Sequence, residues 1–273
     1  MSAETLPEYR VKARNTSANG ENPIHDDAVA QKYGFRGALV PGVTVYAYLT
    51  HALAQGLGTS WLERGTATVR FLRPVLPDEE VTVTGSVTAR DAEGVTITVG
   101  AGTPATPECA VATAGVPAGT PTPVNLSLYG VAPLPATRPP VSREHLAGLA
   151  LLGTPETVYD EAQAAAYVEK VSDDLLLYRG GNGWVHPAFY LDQANRALDR
   201  NVRLGPWVHV ASTIRHLGGA RVGDTLATCG RVRSLYTRKG REYVELDLAV
   251  VVRGRAVAHI LHTAIYQLPP PGA

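Results

Sequence analysis

The chain repeats itself, and the repeat limits what it can fold into more than any other feature. A shift of 145 residues lays His186-Pro187 on Pro41-Gly42, and Gly230 and Val232 on Gly85 and Val87, with no gap between. In the same window Phe189 to Asn201 falls on the apolar stretch after Gly42, and Val222-Gly223-Asp224 falls on the turn Pro77-Asp78-Glu79. Self-similarity of this kind means one supersecondary unit built twice. Each unit holds a helix and then strands. Residues 43 to 57 are apolar on nearly every side, the pattern of a helix in the middle of a core. After them, residues 66–72, 81–90, 95–101 and 109–116 alternate apolar and polar, as half-buried strands do. The second copy does the same over 208–217, 225–236, 242–252 and 256–266, with a turn at Arg253-Gly254.

A long helix and an antiparallel meander, twice over, predict an α+β protein with an N-terminal unit over 1–116 and a C-terminal unit over 141–273. Residues 117–140, dense in Pro, Gly and Thr without helical period, read as a linker. The units are expected to pair their sheets edge to edge, which also protects strand edges from stray pairing.

Composition narrows the function classes without choosing one. The chain has 273 residues, 45% of them apolar, enough for a sizeable core, and Lys plus Arg equals Asp plus Glu at 25 each. No basic field exists to recruit nucleic acid or an anionic membrane, although local arginines can still meet phosphates. Cys109 and Cys229 are too few and too far apart for a disulfide framework or a zinc site. The first ten residues carry acids and no apolar run, unlike a secretory signal, and no stretch approaches membrane-span length, so a cytoplasmic protein is expected.

The chemistry concentrates in Asn22-Pro23-Ile24-His25 and, sixteen residues on, Pro41-Gly42. Asn22 is a helix cap and Pro23 fits a first helical position. His25 then lies in the first turn, where the helix end disfavours imidazolium and keeps a neutral base, an effect that Asp26 and Asp27 oppose. The pattern after it runs through Ala28, Val29, Ala30 and Tyr33 and closes at Gly34. Gly42, without a side chain, lets a ligand approach the backbone N–H groups that open the apolar helix.

Residues 19 to 87 resemble the MaoC-like, or type 2 enoyl-CoA hydratase, branch of the hot-dog superfamily. The matching pieces are Asn22-Pro23-Ile24-His25 with Asp27, Gly34-Phe35-Arg36-Gly37, Val40-Pro41-Gly42 and Arg70-Phe71-Leu72-Arg73-Pro74-Val75. With the repeat, the resemblance implies a double hot-dog, each sheet wrapped round its helix and the acyl thioester entering the seam. It implies that His25 works with an aspartate five residues earlier to activate water, and that Gly42 supplies an oxyanion-hole N–H. Five residues before His25 stands Gly20, flanked by Asn19 and Glu21. Glu21 either reaches the aspartate's place with its extra methylene or points into solvent. Asn22, Pro41 and Val43 are the expected substrate contacts of the first unit.

The two central helices differ. The second carries Asp192, Asn195, Arg196, Asp199 and Arg200, read either as the exposed face of an amphipathic helix or as a wall of the tunnel, with Asp192 and Asn195 contacting substrate. His186, just before that helix, is read as a cap, as solvent-exposed or as facing the tunnel. On their strands, His259 and His262 at a spacing of three, and His209 and His216 at seven, are expected to face oppositely, which argues against metal chelation. No metal or separate cofactor is expected; coenzyme A or a phosphopantetheine arm comes with the substrate. The expected activity is hydration or dehydration of an enoyl or 3-hydroxyacyl thioester. The alternatives are thioester hydrolysis, with Glu21 or Asp192 directing water, and a divergent acyl-thioester binder. An acyl carrier protein is an open partner, as is a homodimer of double units.

Overall fold

The computed structural model describes residues 4–18 and 20–269, so Asn19 lies outside it. The first unit begins with strand β1 (Tyr9–Lys12), then a 3-10 turn at Pro23–His25 and the short helix α1 (Asp27–Lys32). The central helix α2 (Gly42–Leu57) and α3 (Thr59–Arg64) follow, then β2 (Thr66–Phe71), β3 (Glu80–Asp91), β4 (Gly94–Thr103) and β5 (Thr106–Pro117). The second unit has α4 (Arg143–Gly148), β6 (Glu156–Val158), α5 (Glu161–Lys170) and the second central helix α6 (Pro187–Asp199). It closes with β7 (Val208–His216), β8 (Thr225–Arg238), β9 (Arg241–Val252) and β10 (Arg255–Gln267).

All ten strands join one antiparallel sheet in the order β1-β3-β4-β5-β2-β7-β10-β9-β8-β6. The units meet where β2 pairs with β7. Thr68 lies opposite Thr213, with their hydroxyl oxygens 3.1 Å apart, and these residues differ in number by the repeat shift. The register therefore reads the same from either strand, and a pseudo-twofold axis passes through this pair. Both central helices lie on one face of the sheet, in contact with each other. This is the expected double hot-dog.

Every residue of α2 from Val43 to Ala54 is buried, as its unbroken apolar pattern requires. Helix α6 is different. Ala188, Leu191, Ala194, Ala197 and Leu198 are fully buried, while Asp192, Asn195, Arg196 and Asp199 are partly exposed along the other side. The segment after β5 packs on the opposite face of the sheet. Tyr129 buries itself against Cys229 and Ala249, and its hydroxyl donates to Asp247 at 2.7 Å. His259 also meets Asp247, at 2.9 Å, whereas His262 is buried on the helix side, so these two face oppositely as expected.

The structure corrects the facing of His209 and His216. Between β7 and β10 the register steps from Ala211 opposite Thr263 to His209 opposite Ala264, leaving Val210 as an extra residue. That bulge shifts the alternation by one. His209 therefore joins Ser212, Ile214 and His216 on the buried side.

Candidate active site

His25 is held by the backbone at its own turn and at the approach to α2. Asn22 caps the 3-10 turn by accepting from the Ile24 N–H, and Pro23 occupies the first position. The His25 carbonyl accepts from the Asn15 side chain at 2.8 Å. Ring Nδ1 lies 2.7 Å from the Leu39 carbonyl oxygen. A carbonyl only accepts, so the proton is on Nδ1 and Nε2 keeps its lone pair. Burial pushes the His25 pKa down, opposed by the Leu39 carbonyl, and Lys170 pushes it further down. The ring is held toward the neutral form, as expected, but the cause differs. His25 ends a 3-10 turn and precedes α1, so desolvation takes the place of a helix N-terminus.

The head of α2 is open. Thr44 and Val45 both return their N–H groups to the Pro41 carbonyl, at 2.9 and 3.1 Å. The N–H groups of Gly42 and Val43 have no acceptor within the helix. A Cβ on Gly42 would stand 3.1 Å from His209 Nδ1 and 3.2 Å from the edge of Phe71, so only glycine leaves this corner free. His25, Pro41, Gly42, Val43 and His209 line one cavity of about 860 Å³.

The opposite wall comes from the second unit. Asp192, Asn195, Arg196 and Asp199 of α6 line the same cavity, so the polar side of that helix is a tunnel wall and not a free exposed face. Burial raises the Asp192 pKa against the opposing pull of Lys170. Asn22 stitches the units together: its amide donates to the Trp207 carbonyl at 3.0 Å, and its oxygen accepts from the Trp207 N–H at 3.3 Å. The amide nitrogen is also 3.4 Å from His25 Nε2.

Glu21 does not face His25. Its carboxylate lies 2.6 Å from Arg138, whose guanidinium also holds Asp199 at 3.1 Å, and the glutamate side chain is 65% exposed. A cation between two carboxylates holds Glu21 at the rim. Asp192 is the carboxylate that shares the deeper cavity.

At the head of α6 the corresponding groups are used up. Pro187 has no N–H, and buried His186 accepts from the Ala188 N–H at 3.1 Å, so His186 is a cap. Its Nε2 lies 3.1 Å from Asp173, and His51 of α2 lies 3.2 Å from the other oxygen of that carboxylate. Burial raises the Asp173 pKa, but the hydrogen bond from His186 and the neighbouring His51 outweigh it and hold the carboxyl well below its usual range. Sequence reasoning missed Asp173. His51, Asp173 and Asp174 lie within 4.8 Å of one another, but Asp174 is exposed and Asp173 is already shared by two imidazoles.

Comparison with known proteins agrees with this fold. Residues 18–108 match the MaoC like domain family. A protein of Chloroflexus aurantiacus J-10-fl described as a MaoC domain dehydratase is 13% identical over 96% of this chain and 95% of its own, with a TM-score of 0.66. A Mycobacterium tuberculosis protein described as a double hotdog fold is 15% identical over 97% and 96%, with a TM-score of 0.63. A Lactobacillus plantarum protein described as an oleoyl thioesterase is 14% identical over 98% of both chains, with a TM-score of 0.56. At these identities the likeness is one of fold. No curated protein matches the sequence.

Proposed function

We propose that this protein adds water to an enoyl thioester, or removes it from a 3-hydroxyacyl thioester. The observation that carries the reading is the His25 ring, with Nδ1–H bound to the Leu39 carbonyl and an unprotonated Nε2, 3.4 Å from the Asn22 amide, in the cavity at the open head of α2. In hydration, Nε2 takes a proton from water as the water oxygen bonds to C3. The C2–C3 π electrons move toward the thioester, and its carbonyl oxygen gains charge. N–H groups at the head of α2 meet that oxygen, and preorganised donors aimed at developing charge are a large source of rate enhancement. C2 then takes a proton, and Asp192, with its raised pKa, is the acid, because Asp199 on the same wall is tied to Arg138. Dehydration is the reverse.

The carrier is read from the cavity mouth. Arg73, Lys170, Arg203 and Arg241 line it and are exposed, while Arg138 ties Glu21 at the rim. Such cations suit the phosphates of coenzyme A or of a carrier-protein arm. Among the described residues no helix is long and apolar enough to cross a membrane.

The test is incubation with crotonyl-CoA and with 3-hydroxybutyryl-CoA, following enoyl absorbance and free thiol together. Absorbance change without thiol supports the proposal. Thiol release would make the protein a thioesterase, and tight binding with neither signal would make it an acyl binder.

A further inference from the structure

His209 belongs to the second unit, yet it lies at the working end of the first. Its ring sits edge-on to Phe71, with centroids 4.7 Å apart, and stacks on His262 at 4.2 Å. The side chain is nearly inaccessible at 6% exposure, and Nδ1 has no hydrogen-bond partner among the described residues. That nitrogen stands closest to the place where any side chain on Gly42 would begin.

The other edge of the ring fixes what Nδ1 offers. Nε2 is 2.8 Å from the Ser212 hydroxyl, and that hydroxyl is 3.0 Å from His262 Nδ1. The hydroxyl has one proton, and if both rings donated to it that proton would have no acceptor among the described residues, so the chain runs in one of two directions. In the first, His209 donates to Ser212, Ser212 donates to His262, and an N–H at His262 Nε2 is stranded. His262 is fully buried and its Nε2 has no partner among the described residues. In the second, His262 Nδ1–H donates to Ser212, Ser212 donates to His209 Nε2, and His262 keeps only a bare lone pair in the core. Each direction leaves one N–H without a protein acceptor, at His262 Nε2 in the closed core or at His209 Nδ1 beside the cavity, and a stranded donor costs least where a ligand oxygen can meet it. The second direction leaves His209 with its proton on Nδ1, facing the head of α2.

We propose that His209 is a third oxyanion-hole donor: a neutral imidazole whose Nδ1–H meets the thioester oxygen beside the N–H groups of Gly42 and Val43. This rests on the thioester reading above. No proton changes hands at His209; the ring supplies a fixed dipole. Burial, with His262 alongside, pushes its pKa well down against the opposing pull of the Ala211 backbone, so the ring stays neutral. Ser212 and His262 are positioning residues, because they act only by setting which nitrogen carries the proton.

The probe is butanoyl-CoA labelled with ¹³C at the thioester carbonyl, which binds without a double bond to hydrate. In the wild type, the bound carbonyl band moves to lower frequency in infrared difference spectra. His209→Leu removes at least half of that shift, His209→Gln restores part of it through its amide donor, and His25→Ala leaves it whole. Crotonyl-CoA turnover in His209→Leu falls by about 10²- to 10³-fold in kcat, the usual cost of one oxyanion-hole donor. A shifted wild-type band that stays unchanged in His209→Leu overturns the role of His209 and leaves the thioester reading standing. An unshifted wild-type band overturns both. Should His209→Leu fail to fold, ¹⁵N spectra of the wild-type rings decide: a proton on His209 Nδ1 supports the assignment, and a proton on Nε2 overturns it.

Discussion

The two central helices begin at matching places in the repeat, but one head is open and the other is closed. At Gly42 there is no side chain, two N–H groups are left over, and a cavity stands in front. At Pro187 the ring removes one N–H, His186 caps the next, and Asp173 holds His186 and His51 together. His51 and Arg196 are separated by the same repeat shift. His51 is spent on the protein's own carboxylate, whereas Arg196 lines the cavity and has no carboxylate partner within 4.0 Å among the described residues. Duplication has divided chemistry from reinforcement.

Replacing one polar side chain at each place is the strongest way to break that comparison. His25→Ala is expected to lower crotonyl-CoA turnover by about 10²- to 10⁴-fold, the range for lost general acid–base catalysis. Its urea midpoint should barely move. A variant with full turnover would remove His25 from the chemistry. At the closed head the loss falls on stability instead. Asp173→Asn takes the charged acceptor away from two buried imidazoles, and a hydrogen bond to a charged group is worth about 1.5–3 kcal/mol. Equilibrium unfolding in urea measures it, and a cost below about 1 kcal/mol would reduce the cluster to ordinary surface-like pairing.

Acid sharpens the contrast. Burial lowers the pKa of His216 to about 4 and that of His262 to about 3, while an unfolded histidine titrates near about 6.5. Between those values the unfolded chain binds more protons than the folded one, so stability falls as pH drops below about 6.5. Asp173, depressed in the folded state, adds a further loss only once pH falls below the carboxylate range. Unfolding free energies from pH 7.5 down to pH 4.5 should therefore decline steadily, and a flat profile would contradict the buried, neutral histidines. The smallest effect belongs to Glu21→Gln. Its exposed pair with Arg138 is worth about 0–1 kcal/mol, and turnover on crotonyl-CoA should stay within about twofold of wild type. A loss as large as that of His25→Ala would place the missing acid back at Glu21.

What could be read in advance followed from local rules. The repeat, the apolar helix and the eight alternating strands are periodic, and the motif around His25 is contiguous, so its cap and the glycine head were visible. Strands β1 and β6 have four and three residues, too short to show a period. The facing of His209 depended on one extra residue at Val210, which leaves no mark in a strand pattern. Asp173 and His51 are 122 positions apart, and Glu21 and Arg138 are 117 apart, so neither pairing could be inferred from spacing. The polar side of α6 looked like a solvated face because amphipathicity does not say what fills the space beyond it.

The pairing of Thr68 with Thr213 has a consequence for how the site responds to dilution. When two separate chains form such a seam, the cavity exists only in the associated fraction, and specific activity falls as protein concentration falls. Here the second partner is tethered, so the seam closes at an effective concentration set by the connecting segment and not by the solution. On the proposed reading, activity per mole of chain therefore does not depend on two chains meeting at this seam, and each half is free to change without a matching change in the other.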